Sequence, residues 1–264
     1  MPVEWLAFPV LGIVAGVLAG LLGVGGGLVL VAALAWLLPQ VGVAPEMAMH
    51  AALASSLASI VLTAMASARA HARRGSVLWP TVAWMVPGLL AGGWLGSAVA
   101  VRIDGDVLRW LVAAYCLVAA AQLMLSRARE QAEGIVPRGP GMTAAGTGIG
   151  AVSAIVGIGG GSMTVPLLVW RGVAPVRAVG TSSACGVAIG LGSALGYALH
   201  PPAGALGAHA WGYVYLPAAV GVALASVLAA PWGTRLAHRL SGAHLKRVFA
   251  GFLVAVALSL VAGG

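Results

Sequence analysis

Apolar residues gather in ten runs along the chain, at about 5–22, 28–38, 47–68, 77–101, 107–126, 142–156, 162–170, 175–199, 212–234 and 246–262. A helix that crosses a hydrocarbon core of about 30 Å needs roughly 20 residues. The second and seventh runs reach only about half way at 1.5 Å per residue. Both follow a glycine cluster, Gly23-Val24-Gly25-Gly26-Gly27 in one case and Gly157-Ile158-Gly159-Gly160-Gly161 in the other. Each cluster predicts a break after which the chain turns back as a short helix, so that the pair of runs forms a hairpin.

The two clusters belong to a longer self-match. Gly12 and Gly16 fall on Gly146 and Gly150, Val43-Ala44-Pro45 on Val173-Ala174-Pro175, and Ala54-Ser55-Ser56 on Gly180-Thr181-Ser182. Near the end of each half, Arg102, Gly105 and Leu108 match Arg239, Gly242 and Leu245. The expected organisation is a duplication: a first transmembrane repeat over 1–126, a polar cytoplasmic linker over 127–141, and a second repeat over 142–264. Each repeat holds one hairpin and three crossing helices. Three is odd, so the second repeat is expected upside down relative to the first. The loops agree with inversion. The 69–76 loop carries Arg69, Arg73 and Arg74, and its counterpart at 200–211 carries no lysine or arginine; the 102–109 loop is balanced, and its counterpart at 235–247 carries Arg235, Arg239, Lys246 and Arg247. Basic loops face the cytoplasm, which places both termini outside.

Composition removes the other classes. Hydrophobic residues make up 61% of the chain and charged ones 8%, with 39 glycines and a mean hydropathy of +1.02. A soluble domain carries roughly 25% charged residues; the glycines have no three-residue period, and disorder needs polarity. An all-α polytopic membrane protein is left. The net charge of +8 would suggest nucleic acid in a soluble protein, but without a basic stripe it marks cytoplasmic loops and lipid headgroups, and no nucleic-acid partner is expected. The N-terminus has an acid and no lysine or arginine before its apolar run, so no secretory signal is expected there. Cys116 and Cys185 lie inside apolar runs and read as small core residues. Trp5, Trp36, Trp79, Trp110, Trp170, Trp211 and Trp232 lie near run ends, where an indole suits the headgroup layer; Trp84 and Trp94 do not, and read as packing residues.

Inverted repeats with one broken helix each are the build of many secondary transporters. Irregular backbone at membrane depth is tolerated where it is buried or lines a cavity. A helix that starts there aims free N–H groups and a positive dipole end inward, which suits an anion. Gly25, Gly26 and Gly27 in one half and Gly159, Gly160 and Gly161 in the other are the candidate cradles. Ser162 and Thr164 add hydroxyls to the second; the first offers Leu28 and Leu30. For these clusters a plain hairpin turn and a ligand site both stand as readings, whereas Gly12, Gly16 and Gly20 read as close helix packing. Ser55, Ser56, Thr181 and Ser182 form a second polar layer about 10–15 Å in from Pro45 and Pro175. Such hydroxyls commonly bond their own i−4 carbonyl, so ligand and structural roles both stand. All six acids, Glu4, Glu46, Asp104, Asp106, Glu130 and Glu133, lie at ends or loops, which weakens any carboxylate proton relay. His50 could carry a proton or simply pack. Arg177 could draw an anion inward or face headgroups. No cluster with metal or cofactor spacing occurs, and a membrane enzyme would need one.

The doubled set, a G-[VI]-G-G-G cluster followed by a proline and an [AG]-[TS]-S stretch, with Ala70-His71-Ala72-Arg73-Arg74-Gly75 closing the first Ser-Ser helix, resembles the TauE/SafE sulfite exporter family, the TSUP permeases. The resemblance covers nearly the whole chain. It implies a bacterial or archaeal inner-membrane carrier that exports sulfite, an organosulfonate or a related sulfur anion. By motif match it points to Gly25, Gly26, Gly27, Ser55 and Ser56, and to Gly159, Gly160, Gly161, Thr181 and Ser182. Ser55 stands where the family often has threonine. The expected mechanism is alternating access, one half rocking against the other, with the anion at the midplane, lipids as surroundings and no cofactor. A carrier of another small anion and a non-transporting accessory subunit are the competing readings; a homo-oligomer is left open.

Overall fold

A computed structural model describes residues 6–22, 26–125, 136–202, 206–207, 209–237 and 242–262. Each apolar run becomes one α-helix: α1 Ala7–Leu22, α2 Gly27–Leu37, α3 Pro45–Arg73, α4 Trp79–Ala100, α5 Gly105–Leu125, α6 Pro140–Val156, α7 Gly161–Trp170, α8 Pro175–Leu199, α9 Leu216–Ala237 and α10 Gly242–Ala262. Proline occupies the first turn of α3, α4, α6 and α8, where its missing N–H would have no intrahelical acceptor anyway. Among the described residues α3, α4, α5 and α8 are long and apolar enough to cross a membrane. The protein is an all-α polytopic membrane protein. One element escapes the hydropathy pattern: β1 (Ala210–Trp211) and β2 (Val214–Tyr215) form a minimal antiparallel hairpin ahead of α9. Of the expected linker, residues 126–135 lie outside the described residues.

Helices in lipid gain little from burying apolar surface, so close approach of small residues decides which of them pair. Helix α4 lies along α6 with Gly88 on the Thr143 carbonyl, Gly92 on the Thr147 carbonyl and Gly96 on Ala151. Both numbers rise together, so the two helices are parallel. Helix α1 lies parallel to α9 in the same way, Gly12 on Val222 and Gly16 on Ser226, and the Ser226 hydroxyl donates to the Gly12 carbonyl at 2.8 Å. Gly12 and Gly16 are thus packing glycines. Helices α3 and α8 run antiparallel: Gly190 meets Val61, Gly186 meets Ala64, the Ser67 and Ser183 hydroxyls are 3.0 Å apart, and Gly180 meets His71 and Ser76. Helix α5 packs on α10.

The main pairings therefore run between the sequence halves, α1 with α9 and α4 with α6. Neither half is a bundle of its own. Inward glycines also explain a departure from expectation on α4. Gly88, Gly92 and Gly96 take the inner face, and Trp84 and Trp94, expected as packing residues, stand outward at 43% and 39% exposure. Trp36, Trp79, Trp110, Trp170, Trp211 and Trp232 are exposed, as suits their positions at span ends. Cys116 and Cys185 are buried free thiols.

Charge is unequal between the two ends of the bundle. Arg69, Arg73 and Arg74 close α3, and Arg171 and Arg177 flank the turn into α8, whose Gly180 touches Ser76 just beyond α3. Arg138 joins them, because the adjoining Pro137 carbonyl accepts from Thr81 at the start of α4 at 2.8 Å. At the opposite end Arg102 and Arg109 stand among Glu46, Asp104 and Asp106, and Arg109 pairs with Asp106 at 3.4 Å.

Candidate anion site at the two helix breaks

The chain enters α2 through Gly26 at φ +62° and α7 through Gly160 at φ +73°. These are left-handed backbone angles that a side chain would strain, so glycine at both places is a requirement of the turn itself. Gly25 lies outside the described residues. The two breaks meet. A Cβ on Gly27 would sit 2.7 Å from the Gly157 carbonyl and 3.1 Å from Ile60 Cδ1, and the Val31 side chain abuts Gly157. Ser56 fastens the junction: its hydroxyl lies 3.3 Å from the Gly27 carbonyl and 3.1 Å from the Gly157 carbonyl and donates between them.

Three spanning helices fix the depth. Ile60, against Gly27 and Gly159, is the sixteenth of 29 residues in α3; Ile189, against Gly160, is the fifteenth of 25 in α8. Tyr115, the eleventh of 21 in α5, hydrogen-bonds Ser162 at 2.6 Å. Each contact falls near the middle of its helix, so the breaks lie midway along the bundle.

At the start of α7 the Met163 and Thr164 N–H groups bond the Gly160 carbonyl at 3.0 and 2.7 Å. The N–H groups of Gly161 and Ser162 precede the first possible i−4 acceptor within the helix. Thr164 is fully buried and its hydroxyl has no partner. A Cβ placed on Gly160 would lie 3.4 Å from that Oγ1, so the hydroxyl faces the break. Ser153 on α6 and Ser193 on α8 are further buried hydroxyls without partners. A buried hydroxyl that makes no hydrogen bond costs about 1–3 kcal/mol, and a polar ligand offsets that cost. Here Ile60 and Ile189 cover Gly159 and Gly160.

The second polar layer divides by role. The Ser55 hydroxyl accepts from the Tyr215 N–H at 3.0 Å, one residue ahead of α9. The Thr181 hydroxyl accepts from the Leu78 N–H at 3.0 Å, one residue ahead of α4, and donates to the Arg177 carbonyl at 2.7 Å. Each of these two hydroxyls thus takes up a backbone N–H at the start of a helix across the bundle. Ser182 is buried in α8. His50 is 4% exposed; its Nε2 lies 3.0 Å from the Ile103 carbonyl, its ring faces Tyr213, and Nδ1 has no partner. It stands near the α4–α5 turn, away from the breaks. Arg177 is half-buried at the start of α8, below Thr181, and is likewise not brought to the breaks. Among the described residues no group of His, Cys, Asp and Glu could hold a metal ion. A wholly apolar groove of about 340 Å³ between α1 and α2, lined by Leu6, Val10 and Trp36 among others, faces the bilayer and offers nothing to an anion. Sequence reasoning missed Tyr115, because a tyrosine inside an apolar run carries no signal until its neighbour is known.

A bundle of apolar helices with two short ones meeting at mid-depth is the build of a polytopic membrane protein. The family model described as sulfite exporter TauE/SafE matches residues 8–260. A probable membrane transporter protein of Haemophilus influenzae is 33% identical over 258 residues, covering 94% of this chain and 95% of that one. One of Xylella fastidiosa is 32% identical over 93% of this chain and 90% of its own, and one of Methanocaldococcus jannaschii 22% identical over 96% and 93%. No solved structure matches the chain. The chain belongs to the TauE/SafE sulfite exporter family. It is a transporter and not an enzyme.

Proposed function

We propose that the protein exports a small sulfur oxyanion, sulfite or an organosulfonate, across the bacterial inner membrane, with the anion bound where the two breaks meet. The observation that carries this reading is the start of α7, with its free N–H groups and the buried, unpartnered Thr164 hydroxyl beside Gly160. Such a site stabilises an anion through dipoles and needs no buried arginine. Ser162 supplies a further hydroxyl. Ser56 acts on the site by holding the two breaks together, and Ser55 and Thr181 by fixing the helices around it.

The helix directions and the swapped pairs α1–α9 and α4–α6 support an inverted repeat. They also change which parts can move together. We assign α1–α3 with α9 and α10 to one body and α4–α8 to the other, with the α3–α8 and α5–α10 contacts as the surface between them. Motion along that surface would withdraw Ile60 from Gly159 and open the site, a form of alternating access. The basic end, with Arg69, Arg73, Arg74, Arg138, Arg171 and Arg177, would face the cytoplasm. The described acids Glu46, Asp104 and Asp106 stand away from the breaks, and the membrane potential favours outward movement of an anion.

Anion-evoked current from purified protein on a solid-supported membrane tests this, with sulfite, sulfate, thiosulfate, isethionate, acetate and chloride as the panel. A saturable current for sulfite or isethionate, lost in Thr164→Val, is expected. Labelled-sulfite flux covers electroneutral exchange. Absence of both for every sulfur anion would overturn the substrate assignment.

A further inference from the structure

We infer that Tyr115 is a specificity-determining positioning residue: its hydroxyl orients the Ser162 hydroxyl toward the anion at the start of α7. The inference rests on the anion site proposed above. Tyr115 comes from the middle of α5, the only residue of that helix among the described ones whose side chain bonds the α7 break, and its oxygen lies 2.6 Å from Ser162 Oγ. Either oxygen can donate. The phenol is the stronger acid, so it is the natural donor, and that choice leaves the serine proton free for a third partner. Two residues on, the Thr164 hydroxyl faces Gly160 and is fully buried and unpartnered. The serine proton and the free N–H groups of Gly161 and Ser162 then all stand at the start of α7. Hydroxyl and N–H donors held in fixed directions suit an oxyanion, whose oxygens carry directed lone pairs, better than a spherical halide.

The repeat supplies an internal control. The residue of α10 that matches Tyr115, by the register that pairs Gly105 with Gly242, is Phe252; the residue of α2 that matches Ser162 is Leu28. Helix α10 packs on α2, and both residues belong to the apolar packing there. The same architecture therefore holds in the other half with neither hydroxyl. Were the Tyr115–Ser162 bond needed only to seat the break against its neighbour, both copies would want it. It occurs where the cradle also carries Thr164, and it is missing where the cradle carries Leu30.

The test is concentration-dependent transport of sulfite, isethionate and chloride in proteoliposomes by wild type, Tyr115→Phe, Ser162→Ala and the double variant. Tyr115→Phe keeps the ring and removes one oxygen. For sulfite and isethionate, KM is expected to rise about 3–10-fold in Tyr115→Phe and about 10-fold in Ser162→Ala, with Vmax within about twofold of wild type. The double variant is expected to match Ser162→Ala alone, because the tyrosine acts through the serine. Equal effects on Vmax with KM unchanged, or losses that multiply in the double variant, overturn the inference. So does a wild-type KM in Tyr115→Phe, which would leave the anion site itself intact. Failure of the wild-type protein to carry any of these anions refutes the proposed site and this inference together. Should a variant fold poorly, Phe252→Tyr combined with Leu28→Ser adds the pair to the other break; a shift in the KM ratio of sulfite to chloride is then expected, and an unchanged ratio counts against Tyr115.

Discussion

Thr181→Val separates a structural hydroxyl from a ligand. Valine has the shape of threonine, so packing in α8 is kept and only the oxygen is lost. That oxygen is the acceptor of the Leu78 N–H at 3.0 Å, and Leu78 is 2% exposed, so no water replaces it. A buried N–H without an acceptor costs about 1–3 kcal/mol. The Arg177 carbonyl loses only its second partner and adds little. For a chain of this size about 1 kcal/mol moves the midpoint by roughly 2–4 °C, so a drop of roughly 2–12 °C is expected. The assay is thermal unfolding of detergent-solubilised protein followed by size exclusion, run beside transport. Thr181→Ser restores the acceptor and loses only the buried methyl, so it should melt above Thr181→Val. Ser55→Ala removes the matching cap on the Tyr215 N–H and should cost a similar amount; the two losses should add to within about 0.5 kcal/mol, since the sites share no partner. A Thr181→Val protein that melts with wild type but no longer binds anion would refute the capping argument and return the residue to the ligand set.

Other expectations follow from the same packing. Gly92→Ala should destabilise the protein by about 1–3 kcal/mol, because its methyl runs into the Thr147 carbonyl, while Gly148→Ala, with nothing within 4 Å, should be neutral in the same melt. Gly160→Ala should abolish transport, since its Cβ meets Ile189 at a left-handed backbone angle; full activity in that variant would remove the break from the mechanism. Ser67→Cys with Ser183→Cys should form a disulfide on oxidation, the two hydroxyl oxygens being 3.0 Å apart. If α3 and α8 slide past one another, transport should fall at least about tenfold on oxidation and return with reductant. Unimpaired transport by the cross-linked protein would show that this surface does not move.

The sequence carried the elements well and the pairings poorly. Ten apolar runs became ten helices, because in lipid the backbone must satisfy its own hydrogen bonds and few alternatives to a helix exist. The glycine clusters announced the breaks, because only glycine tolerates the angles of Gly26 and Gly160. Partner choice was hidden. Glycines four apart on α1, α4 and α6 say that a helix will be approached closely, but not by which neighbour, and nothing local says that α1 finds α9. The Ser55 and Thr181 positions were legible as special, yet their role was not: whether a hydroxyl caps a distant helix start or meets a ligand depends on chain brought in from elsewhere. The β1–β2 hairpin was missed because two residues per strand give no alternation to read.

The swapped pairing has a consequence for how the molecule is made. Ser226 reaches the Gly12 carbonyl across 214 residues of chain. At about 5–20 residues per second of synthesis, α1 enters the membrane roughly 10–40 s before the helix that covers its glycine face exists. During that interval a strip of backbone built for a helix neighbour meets only lipid, open to other small-residue helices in the same bilayer. Helix α1 thus inserts well before it is sheltered, and a chain that stops short of α9 leaves the bilayer holding an uncovered adhesive surface.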